Sequence, residues 1–330
     1  MEDDMNWKFT HESQLAHVFA ADINPFWSEQ VTTGQFTGKH NVKVHYAWCM
    51  PQHPRSAVVV SSGRIEALLK YKEVIYDFWR NDVAVFILDH RGQGQSGRMT
   101  EDPHQGYVAD FEDYVDDLLY FVQQIVRPCI AVDGRGPLPL HLLCHSMGSA
   151  IGALAILREP TLFQRAVFCS PMFGIRPPLP HWLAEMVIAA SGLLNRLRRL
   201  PGAYFFGQRG YHAVTFSDNR LTHSNIRYQL FRELYEQQPE LQLGGVTTQW
   251  LYAAYLAIAA IEKRAADITL PVLVLSASED KVVDNVRQKR IAAKFGDCQY
   301  EVVHGAFHEL LIESDEYRDK ALCKILTFLS

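Results

Sequence analysis

The sequence predicts an α/β fold with a mostly parallel central sheet and helices on both of its faces. Short apolar runs alternate with longer segments of helical periodicity along most of the 330 residues, which is the pattern typical of such sheets. In the segment after Asp110, for example, apolar residues recur on one helical face and acidic residues fall elsewhere. Strands are predicted at residues 42–48, 57–61, 83–88, 139–144, 166–170, 272–276 and 300–303.

The alternation is interrupted once, between residues 176 and 267, where helical patterns and loops occur without a convincing strand. A segment of this length inside a compact domain is usually functional. We therefore expect an α/β core formed by residues 1–175 and 268–330, with residues 176–267 inserted as a helical cap, or lid, over the strand ends. A helical subdomain that only enlarges the core is the alternative.

The composition excludes some classes of protein. The 37 acidic and 32 basic side chains give a formal net charge of -5, which provides no field that would attract nucleic acid. The six cysteines lack C-x-x-C spacing, as is typical of reduced thiols in a cytosolic protein. The acidic start of the chain is unlike a signal peptide, and the longest apolar stretch, around residues 251–261, is too short to cross a bilayer. We expect a cytoplasmic protein, and attachment to a membrane surface stays open.

The strongest chemical signal is a serine between a predicted strand and a predicted helix. Ser146 follows the apolar run at 139–144 and has small residues, Cys144 and Gly148, two positions away on either side. Such a sharp turn strains the serine backbone and lifts its hydroxyl above the sheet, where a base can reach it. It also directs the next backbone N–H, that of Met147, toward a developing oxyanion.

A nucleophilic serine needs a base, and the base needs a carboxylate that orients it. Asp280 follows the strand predicted at 272–276, and His308 follows the one at 300–303. We predict Asp280 as the acid and His308 as the base. Glu279 and Asp284 are competing carboxylates close by in the chain.

His304 competes with His308 for the role of base, and the spacing of the two histidines is compatible with a metal pair. The helical zinc motif requires a glutamate directly after its first histidine, and Gly305 stands there instead. We therefore predict an ordinary loop histidine at position 304 and expect neither a metal nor an organic cofactor.

The loop after the strand at 57–61 is expected to supply a second oxyanion donor. Gly63 permits a tight backbone turn, and the backbone N–H of Arg64 is the best candidate. The segment 89–97 contains glycines with the spacing of a dinucleotide-binding motif, but no helical pattern begins there, so we interpret it as a structural loop.

The predicted cap contains an apolar helical stretch that ends in arginines. Its members include Trp182 and Met186, followed by Arg196 and Arg198, and these four residues are candidates for substrate binding. An apolar face of this kind would admit an acyl chain or touch a bilayer, with the arginines meeting anionic headgroups. Ordinary packing with a solvated basic end is the alternative.

Taken together, these motifs resemble the bacterial lysophospholipase L-two group within the monoacylglycerol lipase-like α/β-hydrolases. The resemblance covers nearly the whole chain, and the loop at 63–66 and the cap match are its most specific parts. The matching segments are 26–27, 63–66, 89–97, 113–118, 145–148, 171–175, 221–224, 282–285 and 305–309.

The resemblance implies an α/β-hydrolase fold and cleavage of the single acyl ester of a lysophospholipid, giving a fatty acid and a glycerophospho-alcohol. It also leaves peripheral contact with the inner face of the inner membrane open. A monoacylglycerol lipase or general carboxylesterase with the same three residues is the nearest alternative. A catalytically inactive binding protein with this fold is another.

Overall fold

The computed structural model describes residues 7–132, 136–176, 186, 190 and 203–330. Within these residues eight strands form one sheet: β1 (Thr32–Thr37), β2 (Lys43–Cys49), β3 (Ser56–Ser61), β4 (Val83–Leu88), β5 (Leu140–His145), β6 (Arg165–Cys169), β7 (Pro271–Ala277) and β8 (Asp297–Val303). Their spatial order is β1-β2-β4-β3-β5-β6-β7-β8. All strand pairs are parallel except β1 with β2 and β2 with β4.

The sheet confirms the predicted α/β class, and its two edge strands are where the sequence-based prediction is incomplete. All seven predicted strands are present, but β8 begins three residues earlier than expected. The prediction missed β1, in which only Phe36 is buried. Both strands lie at the edges of the sheet. Solvent-exposed side chains interrupt the buried ones there, so the continuous apolar run of an interior strand is missing. A small hairpin of Ala131–Val132 with Gly136–Pro137 was also missed.

Helices cover both faces of the sheet. The main α-helices of the described residues are α1 (Glu12–Val18), α2 (Asn24–Gln30), α3 (Lys72–Arg80), α4 (Phe111–Phe121), α5 (Met147–Arg158), α6 (Asn225–Gln237), α7 (Thr248–Arg264), α8 (Asn285–Ala292) and α9 (Asp315–Leu329). A π-helical turn at Phe19–Ile23 joins α1 to α2, and another at Val122–Val126 continues α4 into the short helix Arg127–Ile130. Single 3-10 turns lie at Lys39–Asn41, Leu68–Tyr71, Phe216–Asp218, Pro239–Leu241, Ala265–Asp267 and Leu310–Ile312.

The interior strands divide their side chains between two hydrophobic clusters, one on each face of the sheet. In β3, Val59 packs with α4 and α5, whereas Val58 and Val60 face the cluster that contains α3 and α9. Leu142 and Leu143 of β5 divide in the same way. Because successive side chains of a strand point to opposite faces, burial on both faces gives the continuous apolar runs that identified these strands in the sequence.

The described part of the insertion between β6 and β7 is built from α6, α7 and short turns. Its strand-like pairing in the described residues consists of single bridges, Tyr204 with Thr247 and Val246 with Gly106. Ser224 and Thr247 directly precede α6 and α7, and their hydroxyls accept hydrogen bonds from backbone N–H groups of the first turn. No helix in the described ranges is both long and apolar enough to span a bilayer.

Candidate active site

Ser146 occupies a strained turn between β5 and α5. Its φ of 51° and ψ of -117° lie in a region that non-glycine residues rarely adopt. The backbone hydrogen bond from Ser146 N to the carbonyl oxygen of Cys169 and the bond from Met172 N to the Ser146 carbonyl, both 3.0 Å, hold this conformation. A Cβ at Gly148 would overlap the carbonyl oxygen of Ser61. Glycine is therefore required where α5 crosses β3.

The structure brings the three predicted catalytic residues into one hydrogen-bonded chain. His308 Nε2 lies 3.0 Å from Ser146 Oγ, and His308 Nδ1 lies 2.7 Å from Asp280 Oδ2. All three side chains are buried. The other carboxylate oxygen of Asp280 accepts hydrogen bonds from the N–H groups of Val282 and Val283. Burial raises the pKa of Asp280, but the charge and hydrogen bond of His308 with the two N–H groups outweigh it, so the net shift is downward.

The competing residues have other positions. Glu279 pairs with Lys281 at the surface, and the Asp284 carboxylate accepts from two backbone N–H groups in the first turn of α8. His304 is exposed on the turn before His308. Among the carboxylates compared in the sequence, Asp280 is the one that contacts His308.

Two backbone N–H groups beside Ser146 remain available to an oxyanion. Met147 is the first residue of α5, so the helix does not use its N–H. The Arg64 N–H has no acceptor within the described residues. Its neighbour Gly63 instead donates its N–H to the Glu66 carboxylate, and a Cβ at Gly63 would come within 3.2 Å of the Ser146 Cβ. The loop is therefore fixed against the serine with one N–H still free to donate.

The glycine-containing segment at 89–97 packs against the loop at 63–66 and holds it by hydrogen bonds. Gln93 Nε2 donates to the carbonyl oxygens of Gly63, at 2.7 Å, and Glu66, at 3.1 Å. The Asp89 carboxylate accepts from the N–H groups of Leu68 and Gln95. These contacts are those of the structural loop that the sequence predicts.

A buried cluster of charged residues lies next to the triad, and sequence reasoning missed it. Lys70 Nζ donates to Glu66 Oε1 at 3.0 Å and to Glu309 Oε1 at 2.7 Å. Glu66 Oε2 accepts from the Tyr71 hydroxyl at 2.7 Å and lies 3.0 Å from His145 Nδ1. Glu66 and Lys70 are visible in the sequence only as an ordinary helix-spaced pair, and nothing there indicates their contact with Glu309.

The contacts of His145 require both of its ring nitrogens to carry protons. Nε2 lies 3.2 Å from the carbonyl oxygen of His308, which can only accept, and Nδ1 faces the Glu66 carboxylate. Burial lowers the pKa of His145, but the charge of Glu66 and its hydrogen bond outweigh this and raise it. With Lys70, this imidazolium balances the charges of Glu66 and Glu309.

A cavity of about 670 Å³ opens over Ser146 and His308. Its lining comes from the core and from the described part of the 176–267 segment. Apolar side chains and three arginines share this lining: Ile65, Val214, Leu221, Phe231, Leu243, Arg64, Arg209 and Arg232. The size is sufficient for a lipid-sized ligand.

The predicted substrate-binding residues of the cap fall mostly beyond what the structure describes. Trp182, Arg196 and Arg198 lie outside the described residues. Met186 is described; its side chain is 58% exposed and does not belong to the cavity lining. Two arginines of the 176–267 segment do line the cavity, Arg209 and Arg232, and they were not singled out because nothing local in the sequence marks them.

Residues 52–315 match the family model described as "Serine aminopeptidase, S33". Lysophospholipase L2 of Escherichia coli is 35% identical, covering 98% of this chain and 94% of its own, and the probable lysophospholipase L2 of Haemophilus influenzae is 32% identical, covering 95% and 97%. Rat monoglyceride lipase is 28% identical over 86% of this chain and 85% of its own.

Solved structures agree on the fold. A monoglyceride lipase from Saccharomyces cerevisiae has a TM-score of 0.69 at 18% identity, covering 91% of this chain and 94% of that one. A carboxyl esterase from Bacillus coagulans has a TM-score of 0.68 at 16% identity, covering 91% and 98%. These confirm the α/β-hydrolase fold. The chain therefore belongs to the serine aminopeptidase S33 family of α/β-hydrolases and, within it, to the lysophospholipase L2 group.

Proposed function

We propose that this chain is a serine ester hydrolase that cleaves the acyl ester of lysophospholipids to a fatty acid and a glycerophospho-alcohol. The observation that carries the proposal is the hydrogen-bonded chain of Ser146, His308 and Asp280 beneath the cavity. The relatives named lysophospholipase L2 support the choice of substrate.

In the proposed reaction, Ser146 Oγ attacks the ester carbonyl carbon while His308 Nε2 accepts its proton. Asp280 holds Nδ1 and stabilises the imidazolium that forms. The N–H groups of Met147 and Arg64 stabilise the oxyanion, each contributing about 3 kcal/mol. His308 then protonates the leaving alcohol and activates the water that hydrolyses the acyl-enzyme.

We propose that residues 176–267 act as a cap over the α/β core and that the apolar part of the cavity holds the acyl chain. Support comes from Phe231 and Leu243, which belong to this segment and line the same cavity as Ser146. Opening of such a cap would admit substrate and release the fatty acid.

We further propose a cytoplasmic enzyme that contacts the inner face of the inner membrane peripherally at the cavity mouth. Phe206 supports this, because its side chain is 94% exposed and it directly precedes Gly207, which lines the cavity. An aromatic side chain placed in this way can enter the headgroup region of a bilayer.

Fatty-acid release from lysophosphatidylethanolamine and from a monoacylglycerol of equal chain length tests the proposal, with Ser146→Ala as the control. We expect the lysophospholipid to be preferred and Ser146→Ala to lose up to ~10⁶-fold in kcat. Preference for the monoacylglycerol would favour the activity named for the rat relative and overturn the proposed substrate. Full activity of Ser146→Ala would overturn the mechanism.

A further inference from the structure

Three arginines line the cavity without a carboxylate partner. Arg64, Arg209 and Arg232 face the same cavity as Ser146, and in the described part of the chain none of the three forms an ion pair with Asp or Glu. The fully buried arginines elsewhere are neutralised: Arg91 by Asp117, Arg227 by Glu73 and Arg318 by Asp77. The cavity therefore carries positive charge that its own lining does not pair.

Arg232 has unused donors. Its guanidinium lies 5.0 Å from the ring centroids of both Tyr228 and Phe231, and Nη1 donates to the Tyr211 hydroxyl at 3.3 Å. Its Nε is buried and has no acceptor among the described residues. Leaving a buried donor unpaired is unfavourable, so the contacts of Arg232 within the described residues do not satisfy its guanidinium fully.

Arg64 is a half-buried cation that has no carboxylate partner among the described residues. Nη1 donates to the carbonyl oxygen of Gly244 at 2.8 Å, and the guanidinium lies 5.7 Å from the Trp250 ring. Burial lowers the pKa of Arg64 to about 10, so the side chain remains charged at neutral pH. A half-buried charge whose contacts are a carbonyl oxygen and an aromatic ring gains from an incoming anion.

Arg209 is brought to the other two by a close approach of two backbone segments. Gly245 N donates to the Arg209 carbonyl oxygen at 2.8 Å, and a Cβ at Gly244 would lie 2.6 Å from the Gly210 carbonyl carbon. Gly244 is also the residue that accepts from Arg64, and the 209–211 segment leads to the Tyr211 hydroxyl that accepts from Arg232. The three arginines therefore lie on, or contact, backbone segments that meet at one junction, and all three line the same cavity.

We propose that Arg232, Arg209 and Arg64 form a phosphate subsite, which binds the phosphodiester of the substrate headgroup while the ester lies at Ser146. This rests on the proposed function and deepens it. Guanidinium groups bind phosphate oxygens through paired, charge-assisted hydrogen bonds. A monoacylglycerol has no anionic group to bind there, so the subsite would favour the lysophospholipid over the monoacylglycerol.

The test compares kcat/KM for lysophosphatidylethanolamine and for a monoacylglycerol of equal chain length in Arg232→Gln, Arg209→Gln and the double variant. The ratio of the two values is independent of the folded fraction of a preparation. We expect about a tenfold loss or more on the lysophospholipid for each single variant and a change within about twofold on the monoacylglycerol. The control is Arg264→Gln, an exposed arginine at the end of α7, for which the ratio should not change.

Equal losses on both lipids, or no loss on either, would overturn the subsite. Hydrolysis of lysophospholipid by the parent would still leave the proposed function intact.

If the parent cleaves only the monoacylglycerol, the proposed function fails. The subsite is then tested separately. The assay measures how far glycerophosphoethanolamine and inorganic phosphate each inhibit the hydrolysis of p-nitrophenyl butyrate. Inhibition by glycerophosphoethanolamine that weakens at least tenfold in Arg232→Gln supports a headgroup subsite. Inhibition by inorganic phosphate alone, or by neither compound, overturns it.

Discussion

His145 donates a hydrogen bond from Nε2 to the backbone carbonyl oxygen of His308, over 3.2 Å, with the two rings 4.9 Å apart. The residue that precedes Ser146 thus holds the main chain of His308. Through Nδ1, the same ring contacts Glu66, which in turn accepts from the N–H of Gly63. One buried carboxylate therefore connects His308, the turn at Ser146 and the loop at 63–66.

Glu66→Gln should impair both stability and turnover. The substitution keeps the shape of the side chain but removes the negative charge that faces His145 and Lys70. Loss of one partner from a buried ion pair destabilises by about 3–5 kcal/mol, because the remaining charges stay buried. Urea unfolding measures this, and kcat should fall as the oxyanion loop loosens.

Glu279→Gln is the matched control, since this exposed glutamate pairs with Lys281 at the surface. It should change the unfolding free energy by less than about 1 kcal/mol. If the two variants are equally stable, the buried cluster does not hold the loop.

The contribution of His145 to the free energy of unfolding should decrease as the pH rises. Its pKa is raised in the folded protein, so its contribution is fully present below its unfolded value, 6.5, and is lost as the pH rises through the folded value. The difference in unfolding free energy between the parent and His145→Asn should therefore shrink from pH 6 upward.

Denaturant unfolding at several pH values measures this difference. His17→Asn, at an exposed position outside the buried cluster, is the control for the exchange of histidine for asparagine. A parent-minus-His145→Asn difference that grows with pH would contradict an imidazolium at this position.

The prediction from sequence was most complete where structure is decided locally. The interior strands are buried on both faces and appear as apolar runs, whereas β1 has only Phe36 buried and leaves no such signal. Ser146, Asp280 and His308 each follow a strand whose carboxyl end reaches the same edge of a parallel sheet. Their meeting therefore follows from the topology.

Contacts between distant segments were beyond sequence reasoning. Lys70 and Glu309 are 239 positions apart, and Glu66 and His145 are 79 apart. Their partnership depends on how the loops after different strands pack together. The same holds for Arg232, whose place in the cavity depends on the path of the inserted segment and not on its neighbours in the chain.

Gly148→Ala should disrupt the turn at Ser146. The added methyl group would overlap the Ser61 carbonyl oxygen, which belongs to the backbone of β3 and cannot rotate away. We expect a loss of about 3 kcal/mol or more in unfolding free energy, with a fall in kcat as α5 is displaced.

Gly97→Ala is a suitable comparison, because the nearest atom to an added Cβ there is 3.3 Å away and belongs to the Val42 side chain. It should cost less than about 1.5 kcal/mol and leave turnover unchanged. Similar losses in the two variants would mean that the crossing of α5 and β3 tolerates a side chain.

Asp280→Asn should reduce kcat by about 10⁴-fold with little change in KM, because an amide in place of the carboxylate stabilises the wrong tautomer of His308.

The competing carboxylates provide the controls for this prediction. Glu279→Gln should keep kcat within about twofold. Asp284→Asn should keep more of kcat than Asp280→Asn, because it is the Asp280 carboxylate that contacts His308. Steady-state kinetics on one ester substrate ranks the three variants by kcat. If Asp284→Asn or Glu279→Gln loses more activity than Asp280→Asn, the acid that orients His308 during turnover is not the one that contacts it here.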